Sequence, residues 1–222
     1  MKTYVIKPLG YLLLLLMFLY FNPVTAQNQR DPKIPVEFFA GHENAYFQLV
    51  MKKSIRPEGK FNFFGLAAYT ADYENDPMEN RLITITQLSY DIGKGFGFMA
   101  GGDMNSFSGF APVVGPQHTF ANKEWLAVTV TSFFMNEPKD FKIFGLYEYK
   151  PALSPHWKLY NRFQFIYNHS LKYGDHNKSY IYLRTGVQKD ATIFGLAANM
   201  NWSGPQKTFA YNIGGFIRYE FD

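Results

Sequence analysis

The chain has no cysteine among its 222 residues. That excludes disulfide staples and a lipid-anchored N-terminal cysteine. It lacks a charge excess that would point to nucleic acid: 22 basic side chains face 18 acidic ones. Removing residues 1–26 takes away Lys2 and Lys7, so the balance becomes 20 to 18 and the net charge falls from +4 to +2. No basic patch with interleaved aromatics is present. Beyond residue 26 no apolar run approaches the roughly 20 residues of a membrane helix. The nucleophile elbow G-x-S-x-G is missing. The five histidines, His42, His118, His156, His169 and His176, show neither a helical zinc spacing nor an i, i+2 pair on a strand. No cofactor is expected.

What is present begins with an export signal. Lys2 and Lys7 precede an apolar run from Leu9 to Phe21, and Val24-Thr25-Ala26 supplies small residues for a peptidase. These are the three parts of a secretory signal peptide, with cleavage expected after Ala26. Residues 27–222 then form a single domain.

Aromatics are abundant: 23 Phe, 16 Tyr and 3 Trp, or 19% of the chain. From residue 45 onward their spacing has period two. Phe209, Tyr211, Ile213, Gly215, Ile217, Tyr219 and Phe221 fall on one face of an extended segment. Ala210, Asn212, Gly214, Phe216, Arg218 and Glu220 fall on the other. Side chains alternate across a strand, so no helix sorts residues this way. Phe141, Ile143, Tyr147 and Tyr149 alternate with Lys142, Phe144, Leu146 and Glu148. Trp157, Leu159, Phe163, Phe165 and Tyr167 alternate with Lys158, Tyr160, Arg162 and Gln164. Leu126, Val128, Val130 and Phe134 are expected to share the apolar, outward face, with Ala127, Thr129 and Thr131 opposite.

Turn signals divide the chain into eleven strands near 45–55, 60–73, 81–92, 95–105, 109–120, 123–134, 140–150, 156–169, 178–188, 191–202 and 208–221. Single-chain bacterial barrels use even strand numbers with longer outer loops. The weaker segment Ile34–Ala40 therefore becomes strand one. The expected fold is all-β: a transmembrane antiparallel up-and-down β-barrel of twelve strands, with ten as the alternative. Both chain ends then lie in the periplasm, and the loops near 74–80, 106–108, 135–139, 170–177 and 203–207 lie outside. Trp125 and Trp157 at inner strand starts and Trp202 at an outer strand end suit the interfacial girdles.

The last strand carries a resemblance. Tyr211, Ile213, Ile217, Tyr219 and Phe221 resemble the C-terminal assembly signal of small outer-membrane β-barrel proteins of Gram-negative bacteria, departing from it only at Asp222. The resemblance implies location in the cell outer membrane, contact with outer-membrane lipid and handling by the barrel assembly machinery. The twelve-strand layout is similar to the nucleoside-specific channel group.

Candidate binding residues are those expected on inward faces: Glu148, Arg162, Gln164, Tyr182, Arg184 and Arg218. If the flanking strands pair across 170–177, Gln164 lies opposite Arg184. A polar lumen serves either as a structural ion-pair network or as a selective path for small polar or anionic solutes. The leading expectation is a narrow passive channel for a small solute, not an enzyme. The alternatives are a lipid-modifying hydrolase, for which Asn168-His169-Ser170 is the candidate motif, and a plugged structural or adhesive barrel. Adjacent strand residues point to opposite faces, so His169 and Ser170 need a bulge or another strand to meet a partner. The acidic stretch Asp72, Glu74, Asp76 and Glu79 is read as a solvated loop. Phe107-Ser108-Gly109-Phe110 is left open between an inward constriction and an interfacial position.

Overall fold

A computed structural model describes residues 32–56, 59–77 and 79–222. The expected signal peptide and its cleavage site lie outside the described residues. Twelve strands are formed among the described residues: β1 Ile34–Gly41, β2 Asn44–Ser54, β3 Phe61–Asp72, β4 Arg81–Gly93, β5 Phe96–Asn105, β6 Gly109–Ala121, β7 Trp125–Phe134, β8 Asp140–Tyr149, β9 Trp157–Ser170, β10 His176–Lys189, β11 Thr192–Ser203 and β12 Thr208–Phe221. Each pairs antiparallel with its neighbour in sequence, and β1 pairs with β12 from Ile34↔Phe221 to Gly41↔Gly214. The weak first segment is therefore the strand that closes the barrel. Closure matters because an open sheet edge leaves a row of unpaired backbone groups. No described helix is long and apolar enough to cross a membrane, which says nothing about strands.

Both chain ends lie at one rim, called here the terminal rim; the other is the far rim. The far rim carries the longest connection, 73–80, but also the shortest kind, 42–43. The terminal rim carries 55–60 and 150–156 beside the two-residue turns 94–95 and 190–191. The expected contrast between short inner turns and long outer loops is thus slight. At the 94–95 turn Gly95 has φ +79° and its Cα faces the Thr119 carbonyl so closely that a Cβ would sit 2.0 Å from that oxygen. Only glycine fits there without shifting a backbone.

The outward surface is a belt of exposed apolar side chains, including Leu196, Phe110, Phe98 and Ile213. Aromatic rings cover its glycines: a Cβ on Gly145 would lie 2.2 Å from the Phe165 ring on the paired strand. Trp125 stacks on Tyr149 near the terminal rim, and Trp202 packs on Phe209 near the far rim. Phe110 faces out, at 68% exposure, and Phe107 is also exposed, so neither forms a constriction.

One strand is turned over relative to expectation. In β7 the register Leu126↔Glu148, Val130↔Phe144 and Ser132↔Lys142 puts Leu126, Val128 and Val130 on the lumen side with Glu148 and Lys142. Ala127, Thr129 and Thr131 face out. The cause is local: the inner wall opposite β9–β12 is itself apolar, with Val130 packed on Met99 and Val113 and flanked by Phe134 and Phe144.

Candidate functional site

The even-numbered residues of β8, β9, β10 and β12 meet the odd-numbered residues of β1 inside the barrel. Cross-strand registers set the meeting points: Glu148↔Arg162, Arg162↔Arg184 and Glu37↔Arg218. The Glu37 carboxylate oxygen Oε1 accepts from Arg162 Nη2 at 2.7 Å and from Arg184 Nε at 2.9 Å. Arg184 Nη1 donates to Asn199 Oδ1 at 2.8 Å and to its neighbour's carbonyl, Leu183 O, at 2.9 Å. Its guanidinium lies 4.9 Å from the centre of the Phe39 ring. Towards the terminal rim Arg218 donates to Glu148 Oε1 at 2.6 Å, to Glu220 Oε1 at 2.9 Å and to the Tyr160 hydroxyl at 2.7 Å. Tyr160 passes the chain on, donating to Glu148 at 3.0 Å. Lys150 reaches Glu220 at 2.6 Å and Glu148 at 3.1 Å.

These groups are deeply buried; the Arg184 side chain has no exposed surface and those of Glu37 and Glu148 are 2% exposed. Removing such charges from water costs several kcal/mol per ion, so each must be met by an opposite charge and further hydrogen bonds. Counting Arg162, Arg184, Arg218 and Lys150 against Glu37, Glu148 and Glu220 gives four cations to three anions, an excess of +1.

Of the six candidate residues, Arg162 and Arg184 pair with Glu37, and Glu148 and Arg218 belong to the adjoining set of ion pairs with Glu220 and Lys150. Gln164 and Tyr182 lie on the next level towards the far rim. Gln164 sits opposite Tyr182 and not Arg184, and its Nε2 donates to the Tyr180 hydroxyl at 2.8 Å. The expected pairing is wrong by two residues because β9 runs to Ser170 and the hairpin closes tightly over 171–175. Ser170 N donates to the Asp175 carbonyl at 2.8 Å, and the register shifts between His176 and Lys178. Tyr182 stacks on Tyr180 at 4.0 Å and packs edge-on against Tyr46. Glu37, the centre of the network, was not among the candidates. Its signal was its parity with Phe39 against the outward Val36 and Phe38 on β1.

Between the network and the far rim lies a cavity of about 80 Å³. Ile83, Ile85 and Ile166 form part of its wall, and Arg81 and Lys178 stand where β4 and β10 reach the rim. Lys142, also on its wall, is bound to Asp103.

Ser170 and His169 do not pair. Ser170 Oγ instead accepts from Tyr173 N at 3.2 Å, within the hairpin, and donates to the Pro138 carbonyl of the 135–139 connection at 2.9 Å. The shifted register does bring His176 Nε2 to 2.7 Å from Ser179 Oγ, with His176 Nδ1 2.8 Å from the Gly204 carbonyl. A proton on Nδ1 satisfies that carbonyl and leaves Nε2 to accept from the serine. In the acidic stretch Asp72 Oδ2 accepts from the backbone N–H groups of Glu74 and Asp76, which is loop capping. No group of three metal-ligating side chains occurs among the described residues.

No family model matches the chain, and no curated protein matches it. Among solved structures the KdgM porin aligns over 86% of this chain and 99% of its own, at 9% identity and a TM-score of 0.48. OpdK, an outer-membrane protein of Pseudomonas aeruginosa, aligns over 77% of this chain and 65% of its own, at 9% identity and a TM-score of 0.38. OmpT, an outer-membrane protein of Vibrio cholerae, aligns over 86% of this chain and 96% of its own, at 8% identity and a TM-score of 0.36.

Proposed function

We propose that this protein is an outer-membrane β-barrel that acts as a narrow passive channel for small polar solutes. The observation that carries the reading is the inversion of the barrel. Its outer belt is apolar and ringed by aromatics, while charged side chains are gathered inside. A soluble barrel has the opposite arrangement, and a spanning strand alternates lipid-facing and lumen-facing residues. In this reading residues 1–26 direct export and are removed after Ala26. The assembly machinery recognises the alternate apolar residues of β12, and lipid covers the belt.

The constriction is the level of Glu37, Arg162 and Arg184. Solutes pass beside it along the β2–β7 wall, whose lining next to the cavity includes Gln48, Leu66, Ile85, Gln87 and Val130. The network's excess positive charge favours anions over cations. No cofactor is needed, since selection follows from size and charge.

The test is solute-dependent swelling of liposomes containing the refolded residues 27–222, with planar-bilayer conductance beside it. Uptake of small solutes or discrete conductance supports the channel. Tight liposomes holding demonstrably folded protein sink it and leave a plugged structural barrel.

The His176–Ser179 contact favours a second reading, acyl transfer on lipid at the far rim. It has a nucleophile, a base within hydrogen-bond reach and a carbonyl that orients the base. Release of fatty acid from phospholipid vesicles, lost in Ser179→Ala, would support it; equal release by that variant would overturn it.

A further inference from the structure

We propose that the far-rim cavity is a binding subsite for a small organic anion with a short apolar body. The proposal rests on the channel reading for its role, as the point where solute is captured before the constriction.

The charge around the cavity is one-sided. Arg81, Lys142 and Lys178 line it, and no aspartate or glutamate does. Lys142 is neutralised by Asp103. Arg81 has one carboxylate partner among the described residues, Glu79 at 3.4 Å, whose side chain is 61% exposed and therefore screened by solvent; its guanidinium also lies 5.3 Å from the centre of the Phe107 ring. Lys178 has no carboxylate within ion-pair distance among the described residues, although it is half-buried. Two cations thus stand over one cavity with little to offset them.

A third group points the same way. Gln48 lines the cavity, is 2% exposed, and its Nε2 has no hydrogen-bond acceptor among the described residues. A buried donor without an acceptor is costly, and a ligand oxygen would satisfy it. Between the cations and this donor the wall is aliphatic, formed by Ile83, Ile85 and Ile166. The space is small. A single water needs about 10–15 Å³ of such space, so a cavity of about 80 Å³ holds several waters or a ligand on the scale of a short-chain carboxylate. A bare inorganic anion would leave the aliphatic wall unused, and a neutral apolar molecule would leave the cations and Gln48 unmet.

The experiment is an amide-shift titration of the folded barrel in detergent micelles. Sodium butyrate is the probe, with butyramide as its neutral isostere and sodium formate as the anion without an apolar body. Saturable butyrate shifts at Ile83, Ile85 and Tyr180 are expected, with both controls weaker. Lys178→Met and Arg81→Met should each weaken butyrate by about tenfold, the scale of one charge-assisted hydrogen bond. Lys178→Arg should retain binding and confirms that the position tolerates change. Equal binding of butyramide or formate overturns the proposal, as does unchanged affinity in both methionine variants. Binding is read without transport, so the two readings separate. Conductance without butyrate binding overturns this subsite alone, and binding in a barrel that conducts nothing overturns the channel alone.

Discussion

Arg162 and Arg184 face each other directly across β9 and β10, and one oxygen of Glu37 lies between them, 2.7 Å from one and 2.9 Å from the other. Two like charges opposite one another on a sheet are destabilising on their own. Here the third strand, β1, closes the barrel and delivers the anion that makes the pair tolerable. Closure and charge compensation are thus one event.

Glu37→Gln should therefore cost more than a typical polar substitution. It leaves two buried guanidiniums without their shared carboxylate, and breaking a buried pair in this way costs about 3–5 kcal/mol. Urea unfolding of the refolded barrel in micelles, followed by heat-modifiable gel mobility, reads the loss. Adding Arg162→Gln should recover part of it, because the two residues form one coupled unit. Stability equal to the parent in Glu37→Gln would remove the network from any account of how the barrel holds together.

In the proposed channel the same network sets the charge of the constriction. Arg184→Ala takes its four cations to three, which balances Glu37, Glu148 and Glu220. The reversal potential of the open channel in a potassium chloride gradient should then move towards zero. Conductance should rise, because a side chain with no exposed surface is removed from the packed level. An unchanged reversal potential would place ion selection elsewhere in the lumen.

Period-two alternation and turn signals are enough to find eleven strands, and the even strand number of single-chain barrels adds β1. Alternation is not enough to say which face is which. In β12 the contrast between Ile213 or Tyr219 and Arg218 or Glu220 settles the face, because charge has only one place to go. In β7 the choice lies between valine and threonine, and the apolar inner wall around Met99 and Val113 takes the valines. Register was the other blind spot. The Gln164–Arg184 pairing failed because it hangs on where the 171–175 hairpin closes, and Ser170 and Asp175 decide that through their own hydrogen bonds. Glu37 was overlooked because β1 entered through the even strand number and not through its own alternation, in which Glu37 shares a face with Phe39 against Val36 and Phe38.

The orientation of β7 can be read chemically. The chain has no cysteine, so single cysteines can be introduced without background. A fluorophore on Thr131→Cys should be quenched by brominated acyl chains, and one on Val130→Cys should not. The reverse pattern would restore the expected facing of this strand and would require a register shift of one residue against β8.

Two far-rim loops are tied by charge, and that tie has a pH window. Glu137, in the 135–139 connection, is bound by Lys172 from 171–175, and the Tyr173 hydroxyl donates to both its oxygens at 2.7 Å. The Lys172 hydrogen bond first, and that of Tyr173 second, hold the Glu137 carboxyl below the ordinary carboxylate range. The same bond raises Lys172 above the ordinary lysine value. For the acid, the stabilisation is fully present above its unfolded value and is lost as pH falls through the depressed folded one. For the lysine, it is present below the unfolded value and is lost as pH rises through the raised folded one. The tie therefore holds across neutral pH and loosens at both extremes. All three groups are exposed, so salt should weaken it. A carbon-13 titration of the Glu137 carboxyl should show a low midpoint that moves up in Lys172→Met and at high salt. A midpoint indifferent to Lys172 would mean that the loops are held without this ion pair, through the backbone bonds of Leu171 and Lys172 to the carbonyls of Lys139 and Pro138 and the Tyr173 hydroxyl.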